Sequence, residues 1–152
     1  MLLKEMMTKN VLTLSPENTL NEAAALFVEN NISGAPVVDK LKNVVGIITE
    51  GDLVRQQKPL SKPLYLMFLD SAFPVNFKEI NSDLEALTAT TVEQLMSKNV
   101  ISLHEFDESE KAAELMINKK INRVPVINDE GQLLGIVTRQ DVIRATYLEK
   151  NE

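Results

Sequence analysis

Apolar and polar positions in this chain follow first one spacing and then another, and the same succession occurs twice. Residues 10–14 (NVLTL) form a short, partly β-branched run that predicts a strand. From 19 to 30, Leu20, Ala23, Ala24, Phe27 and Val28 recur at helical spacing, which predicts an amphipathic helix. Asn18 or Thr19 can cap its start, and Glu22 stands where a capping box takes its acidic residue. Residues 35–38 are a four-residue apolar run containing Pro36, expected at the start or edge of a strand because proline has no N–H. Residues 44–48 are continuously apolar and read as a buried strand. The polar stretch 39–43 between them reads as a turn, and 50–56 as a helix capped by Thr49.

The second half predicts the same elements: strands over 99–103, 124–127 and 133–137, a turn at 128–132, and helices over 107–119 and 139–145. Residues 6–55 align with 95–144 at a constant offset of 89 and without a gap. Ala23-Ala24 answers to Ala112-Ala113, Pro36-Val37 to Pro125-Val126, Gly46-Ile47 to Gly135-Ile136, and Thr49, Asp52 and Arg55 to Thr138, Asp141 and Arg144. A register held that long marks a duplicated unit. The boundaries follow as 1–56 for the first repeat, 57–91 for a connector and 92–152 for the second repeat with its tail. Residues 3–7 and 92–96 read as matching lead-in helical turns. The connector opens with Pro59 and Pro63 and ends on a predicted helix over 78–89. One repeat of about 50 residues buries too little apolar surface to stand alone. Packing two, sheet to sheet about a pseudo-twofold axis, closes a core of the α/β (α+β) class.

Composition narrows the function. The formal net charge is −6, which disfavours nucleic acid and anionic membranes as partners. No apolar run approaches the length of a membrane span, and the first residues lack the pattern of a signal peptide. With no cysteine and His104 as the single histidine, thiolate catalysis and the usual zinc sites are excluded. Absence of cysteine fits a cytoplasmic setting. None of the five glycines forms a dinucleotide or Walker phosphate loop. No nucleophile, metal set or carboxylate pair points to an enzyme.

The segment with chemistry is Gly46-Ile47-Ile48-Thr49-Glu50-Gly51-Asp52, repeated as Gly135-Ile136-Val137-Thr138-Arg139-Gln140-Asp141. A strand ending at a helix N-terminus leaves backbone N–H groups for an anion, and an ionised Asp can accept from two vicinal ribose hydroxyls. The same residues also make a capping box, with Thr as the cap and Asp bonded back to it. Duplication does not separate the two readings, because a duplicated fold duplicates its caps.

Taken together, Met-[Thr/Ser]-x-x-Val, Ala-Ala, Pro-Val and Gly-h-h-Thr-x-x-Asp (h being apolar) resemble the CBS domain, and the pair resembles a Bateman module. The likeness spans nearly the whole chain, including Leu69-Asp70-Ser71 and the helix after it. It implies two β-α-β-β-α repeats with two clefts between them, a regulatory rather than catalytic role, and AMP, ADP, ATP or another adenosyl compound as ligand, with no cofactor required. It also implies a homodimer built through the helices carrying Leu53, Val54, Val142 and Ile143, and an output passed to a separate protein. The alternative is a ligand-free dimerisation or scaffold module in which the Thr-x-x-Asp pairs are only caps.

Carried over by position, the resemblance assigns the first cleft to Thr138, Arg139, Gln140 and Asp141 with Asn122 and Arg123, facing Asn18, Ala23 and Ser33. The second, weaker cleft takes Thr49, Gly51 and Asp52 with Ser33 and Gly34, facing Asp107, Ala112 and Asn122. Arg123 and Arg139 favour a phosphate in the first, since arginine makes forked, charge-assisted bonds. Glu50 and Asp107 oppose one in the second. The histidine common in the family three residues before the proline is replaced by Ser33 and Asn122, which argues against tight triphosphate binding.

Overall fold

The computed structural model describes residues 1–56 and 90–149; the connector helix expected over 78–89 lies outside them. The first repeat contains α1 (Leu3–Met6), α2 (Leu20–Asn30), β1 (Gly34–Val38), β2 (Val44–Thr49) and α3 (Glu50–Arg55). The second contains α4 (Val92–Leu95), β3 (Leu103–His104), α5 (Ser109–Lys119), β4 (Arg123–Ile127), β5 (Leu133–Thr138) and α6 (Arg139–Tyr147). In each repeat the last two strands form an antiparallel hairpin, with Pro36 opposite Ile47 and Pro125 opposite Ile136.

The first strand of each repeat is shorter than its apolar run suggests. Over 10–14 there is a single parallel bridge, Leu14 to Val37, and over 99–103 only Leu103 enters β3. The prolines explain both. Leu14 N–H donates to the Pro36 carbonyl at 3.0 Å, and Val38 N–H donates to the Leu14 carbonyl at 2.9 Å. The next rung toward the N-terminus needs an N–H on Pro36, which has none. Pro125 sets the same limit on β3. Both prolines thus lie inside strands rather than at their starts, tolerated because the missing donor faces the side on which pairing begins only later.

Two cores form among the described residues, and each takes one fully buried residue, with two partly buried neighbours, from the other repeat's half of the sequence. Leu3, fully buried, packs with Leu103, Met116, Val124, Val126 and Val137 of the second repeat. Val92, also fully buried, packs with Leu14, Phe27, Val37 and Ile48 of the first. The exchange is fixed by backbone bonds. Leu3 N–H donates to the Asp107 carbonyl and Val92 N–H to that of Asn18. Thr8 pairs with Ile136, and Ser97 with Ile47. Gly46 and Gly135 are the seats of this exchange, since a Cβ there would collide with the Met96 and Met7 side chains respectively. Burying each aliphatic anchor contributes about 1.5–3 kcal/mol, so the repeats are joined by core energy as well as by the connector.

Candidate functional site

At the start of α3 and of α6 the duplicated motif forms the same local structure. Thr49 N–H and Oγ1 donate to Asp52 Oδ2 at 2.9 and 3.1 Å, and Thr138 does the same to Asp141 at 2.8 and 2.8 Å. Each Asp backbone N–H returns a bond to the Thr hydroxyl. The other carboxylate oxygen faces an arginine one turn on, Arg55 at 2.6 Å and Arg144 at 3.5 Å. Both acids are therefore committed to capping boxes, and Asp141 is buried.

Among the cavities lined by described residues, two open between a helix start of one repeat and the facing segments of the other. The larger, of about 800 Å³, joins Thr49, Glu50 and Gly51 of the first repeat to Val100, Ile101 and Asn122 of the second. The smaller, of about 580 Å³, joins Thr138, Arg139 and Gln140 to Val11, Leu12 and Ser33. Both volumes fall in the range of small-molecule sites. Each cavity thus takes the helix start of one repeat and an apolar wall from the other, which the lead-in exchange brings across.

The structure gathers some of the expected residues and leaves others apart. Thr138, Arg139, Gln140, Asn122, Arg123 and Ser33 meet in the smaller cavity, and Gly34 lines that cavity rather than the larger one. Thr49 and Gly51 line the larger. Asp141 and Asp52 do not line either, being turned into their caps. Ala23 and Ala112 are fully buried in the two cores, where they let helix approach sheet. Asn18 and Asp107 are used at the helix starts: Asn18 accepts from Ser15 N–H and donates to Glu22, and Asp107 pairs with Lys111 at 2.7 Å. His104 is exposed, 3.5 Å from Asp129.

Charge is distributed differently from the expectation as well. Arg123, assigned by the resemblance to the first cleft alone, does not stay within its own repeat. Its guanidinium crosses to the first repeat, lies over Gly34 and donates to Ser33 Oγ. A Cβ at Gly34 would collide with it, so glycine is what leaves it room. Burial lowers the Arg123 pKa from its usual value, and the negative charge of Glu50 partly offsets this. Arg123 lines both cavities. The larger cavity adds Arg55 and Lys120 to Glu50, with Arg55 held by Asp52. In the smaller, Arg139 donates to the Ile121 carbonyl at 3.3 Å. Arg55, Lys120 and the wall segments 10–12 and 99–101 were not legible as site residues. The signal for the walls was in the repeat itself, where Asn10-Val11 answers to Asn99-Val100, but it read only as strand.

The CBS-domain family model matches residues 3–58 and again 92–147. The chain belongs to the CBS-domain family. It is 37% identical over 153 residues to an uncharacterized protein of Methanocaldococcus jannaschii, covering 95% of this chain and 90% of the relative. It is 31% identical to the inosine-5'-monophosphate dehydrogenase of the same organism, of which it spans 22%. Among solved structures it resembles CBSX2 of Arabidopsis thaliana in complex with AMP, with TM-score 0.74, 26% identity and 95% of each chain covered. It also resembles the CBS domain pair of protein MJ0100 in complex with 5'-methylthioadenosine and S-adenosyl-L-methionine, with TM-score 0.69, 27% identity, and 96% and 95% covered. The tandem CBS pair and its α+β fold are therefore established, and homologous pairs hold adenosyl ligands. Among the described residues of this CBS pair, no helix is long and apolar enough to cross a membrane, and no group of His, Cys, Asp or Glu is placed to hold a metal ion.

Proposed function

We propose that this CBS pair is a non-catalytic regulatory sensor that binds an adenine nucleotide or related adenosyl ligand between its repeats. The observation that carries this reading is the pair of cavities, each setting a Thr-capped helix start against an apolar wall of the other repeat, with Arg123 between them. Apolar residues such as Val11, Leu12, Val100 and Ile101 suit a purine face, and the guanidinium suits a phosphate. The adenosyl compounds held by CBSX2 and the MJ0100 pair support the same ligand class. AMP, ADP and ATP are the first candidates, with S-adenosyl-L-methionine and 5'-methylthioadenosine beside them. No cofactor is needed for this role, the signal passes to a separate protein partner, and neither nucleic acid nor membrane is a partner.

The proposed setting is cytoplasmic and the proposed assembly a homodimer. Val54 and Ile143, equivalent residues on α3 and α6, are 68% and 55% exposed and would be covered by a second copy. A sedimentation mass near that of one 17.0 kDa chain at micromolar concentration would remove the dimer from the reading.

The capping boxes favour a second reading, a scaffold without ligand, because Asp52 and Asp141 are already satisfied. Thermal denaturation with each adenosyl compound separates the two. A ligand that binds only the folded chain at a hundred times its Kd stabilises it by about 2.7 kcal/mol, whereas a scaffold shows no shift with any of them.

A further inference from the structure

Ser33, Asn122 and Arg123 line both cavities, so the two clefts share a wall. Ser33-Gly34 and Asn122-Arg123 are equivalent positions at the starts of β1 and β4, separated by the repeat offset of 89. Only one of the two equivalent sites carries a guanidinium. The other is Gly34, and a Cβ there would overlap the Arg123 side chain. The wall therefore has room for one cation, tethered across the interface to Ser33 Oγ.

We propose that Arg123 is the one phosphate-binding cation that the two clefts share, Arg139 belonging to the smaller alone and Arg55 and Lys120 to the larger alone, and that this sharing makes the clefts antagonistic toward phosphate-bearing ligands. This deepens the adenosyl-sensor reading and rests on it. A phosphate monoester carries about −1.5 to −2 charges at pH 7, more than one guanidinium neutralises. When a phosphate in one cleft engages Arg123, a second phosphate across the wall meets a cation already used and a net negative neighbour. An adenosyl ligand without phosphate makes no demand on Arg123 and escapes the antagonism. The device lets one occupied cleft report on the other without a change of fold, and the coupling is reciprocal.

Titration calorimetry of the full chain with AMP and with 5'-methylthioadenosine tests this, using Ile101→Trp to fill the larger cleft and Leu12→Trp to fill the smaller. Each cleft's AMP affinity with its neighbour filled by tryptophan is compared with the weaker AMP event of the wild type. The expected result is that the wild-type event is weaker by about tenfold, a usual size for coupling between sites. The uncharged ligand should bind each open cleft with the same affinity in both proteins, which also shows that the variants are folded. Arg123→Gln should remove the AMP difference. If each cleft binds AMP equally well whether its neighbour is open or filled, the sharing is overturned while the sensor reading stands. If neither ligand binds wild type or variants, both are overturned.

Discussion

At the rim of the larger cleft stand Arg55, Lys120 and Glu50; at the smaller, Arg139 stands with no acidic residue beside it among the described residues of the lining. The backbones that hold these side chains are nearly interchangeable. Thr49 and Thr138 make the same cap, β1–β2 and β4–β5 share a register, and each pair has its irregularity at the equivalent place. Even the helix starts match in geometry while differing in charge: Asn18 bonds Glu22 where Asp107 bonds Lys111. Backbone geometry is kept by caps, glycines and core residues, which tolerate little change. Rim residues carry no such load, so the two clefts can differ electrically within one fold. Arg123 is the exception, because its place depends on what the other repeat leaves open.

The most damaging way to probe the likeness is to remove the exchanged anchors. Leu3→Ala should destabilise the chain by about 2–5 kcal/mol, the usual cost of emptying a buried leucine site. Val92→Ala should cost less, having one carbon fewer to lose. Urea unfolding should show one cooperative transition in each case. A separate early transition confined to the second repeat in Leu3→Ala would show that the two cores are not joined energetically.

Gly34→Ala addresses the contrast instead. The added methyl displaces the end of the flexible Arg123 side chain and comes within 3.0 Å of the Ile48 carbonyl oxygen, so a modest loss of stability accompanies the loss of a charge-assisted contact to a phosphate ligand. A loss of about 1.5–3 kcal/mol corresponds to roughly 10- to 150-fold in AMP affinity, with 5'-methylthioadenosine unaffected. Calorimetry on the variant decides it, and unchanged AMP affinity would separate Arg123 from phosphate binding.

The caps offer a matched pair. Thr49→Ala and Thr138→Ala should each cost about 0.5–2 kcal/mol. Nearly equal losses in chemical denaturation would confirm that the motif's structural part is symmetric. A smaller effect is expected at the hairpin turns, where Lys42 (φ 66°) occupies the left-handed conformation that Gly131 (φ 83°) adopts in the second repeat. Lys42→Gly should stabilise by up to about 1 kcal/mol, relief of strain offset by glycine's entropy, read as a raised Tm.

The smallest expected effect is a dependence on pH peculiar to the second repeat. The Lys111 hydrogen bond, helped by the His104 N–H, holds the Asp107 pKa below its ordinary 3.8 despite a little desolvation. A lowered carboxylate pKa stabilises the fold above the ordinary value, and that contribution is lost as pH falls through the lowered one. Lys111→Met should therefore move acid unfolding slightly upward in pH. Glu22→Gln, the equivalent change in the first repeat, provides the comparison.

Hydrophobic spacing and the repeat at an offset of 89 were enough to specify the hairpins, the main helices of each repeat, their order and the capping boxes, because these depend on local sequence and on the need to bury one face, whereas the first strand of each repeat came out shorter than its apolar run suggested. The family resemblance, carried over by position, brought out Thr138, Arg139, Gln140, Asn122 and Arg123, which tertiary packing gathers in one cleft. What sequence order alone did not reveal is which half of the chain supplies each wall. The lead-in turns cross to the opposite repeat, so 10–12 face Thr138 and 99–101 face Thr49. Ala23 and Ala112 pass into the cores, Asp52 and Asp141 turn into their caps, and Arg123 settles over Gly34 between two clefts. These outcomes were decided only in three dimensions, because the path of a side chain across an interface depends on the space that residues distant in sequence leave free.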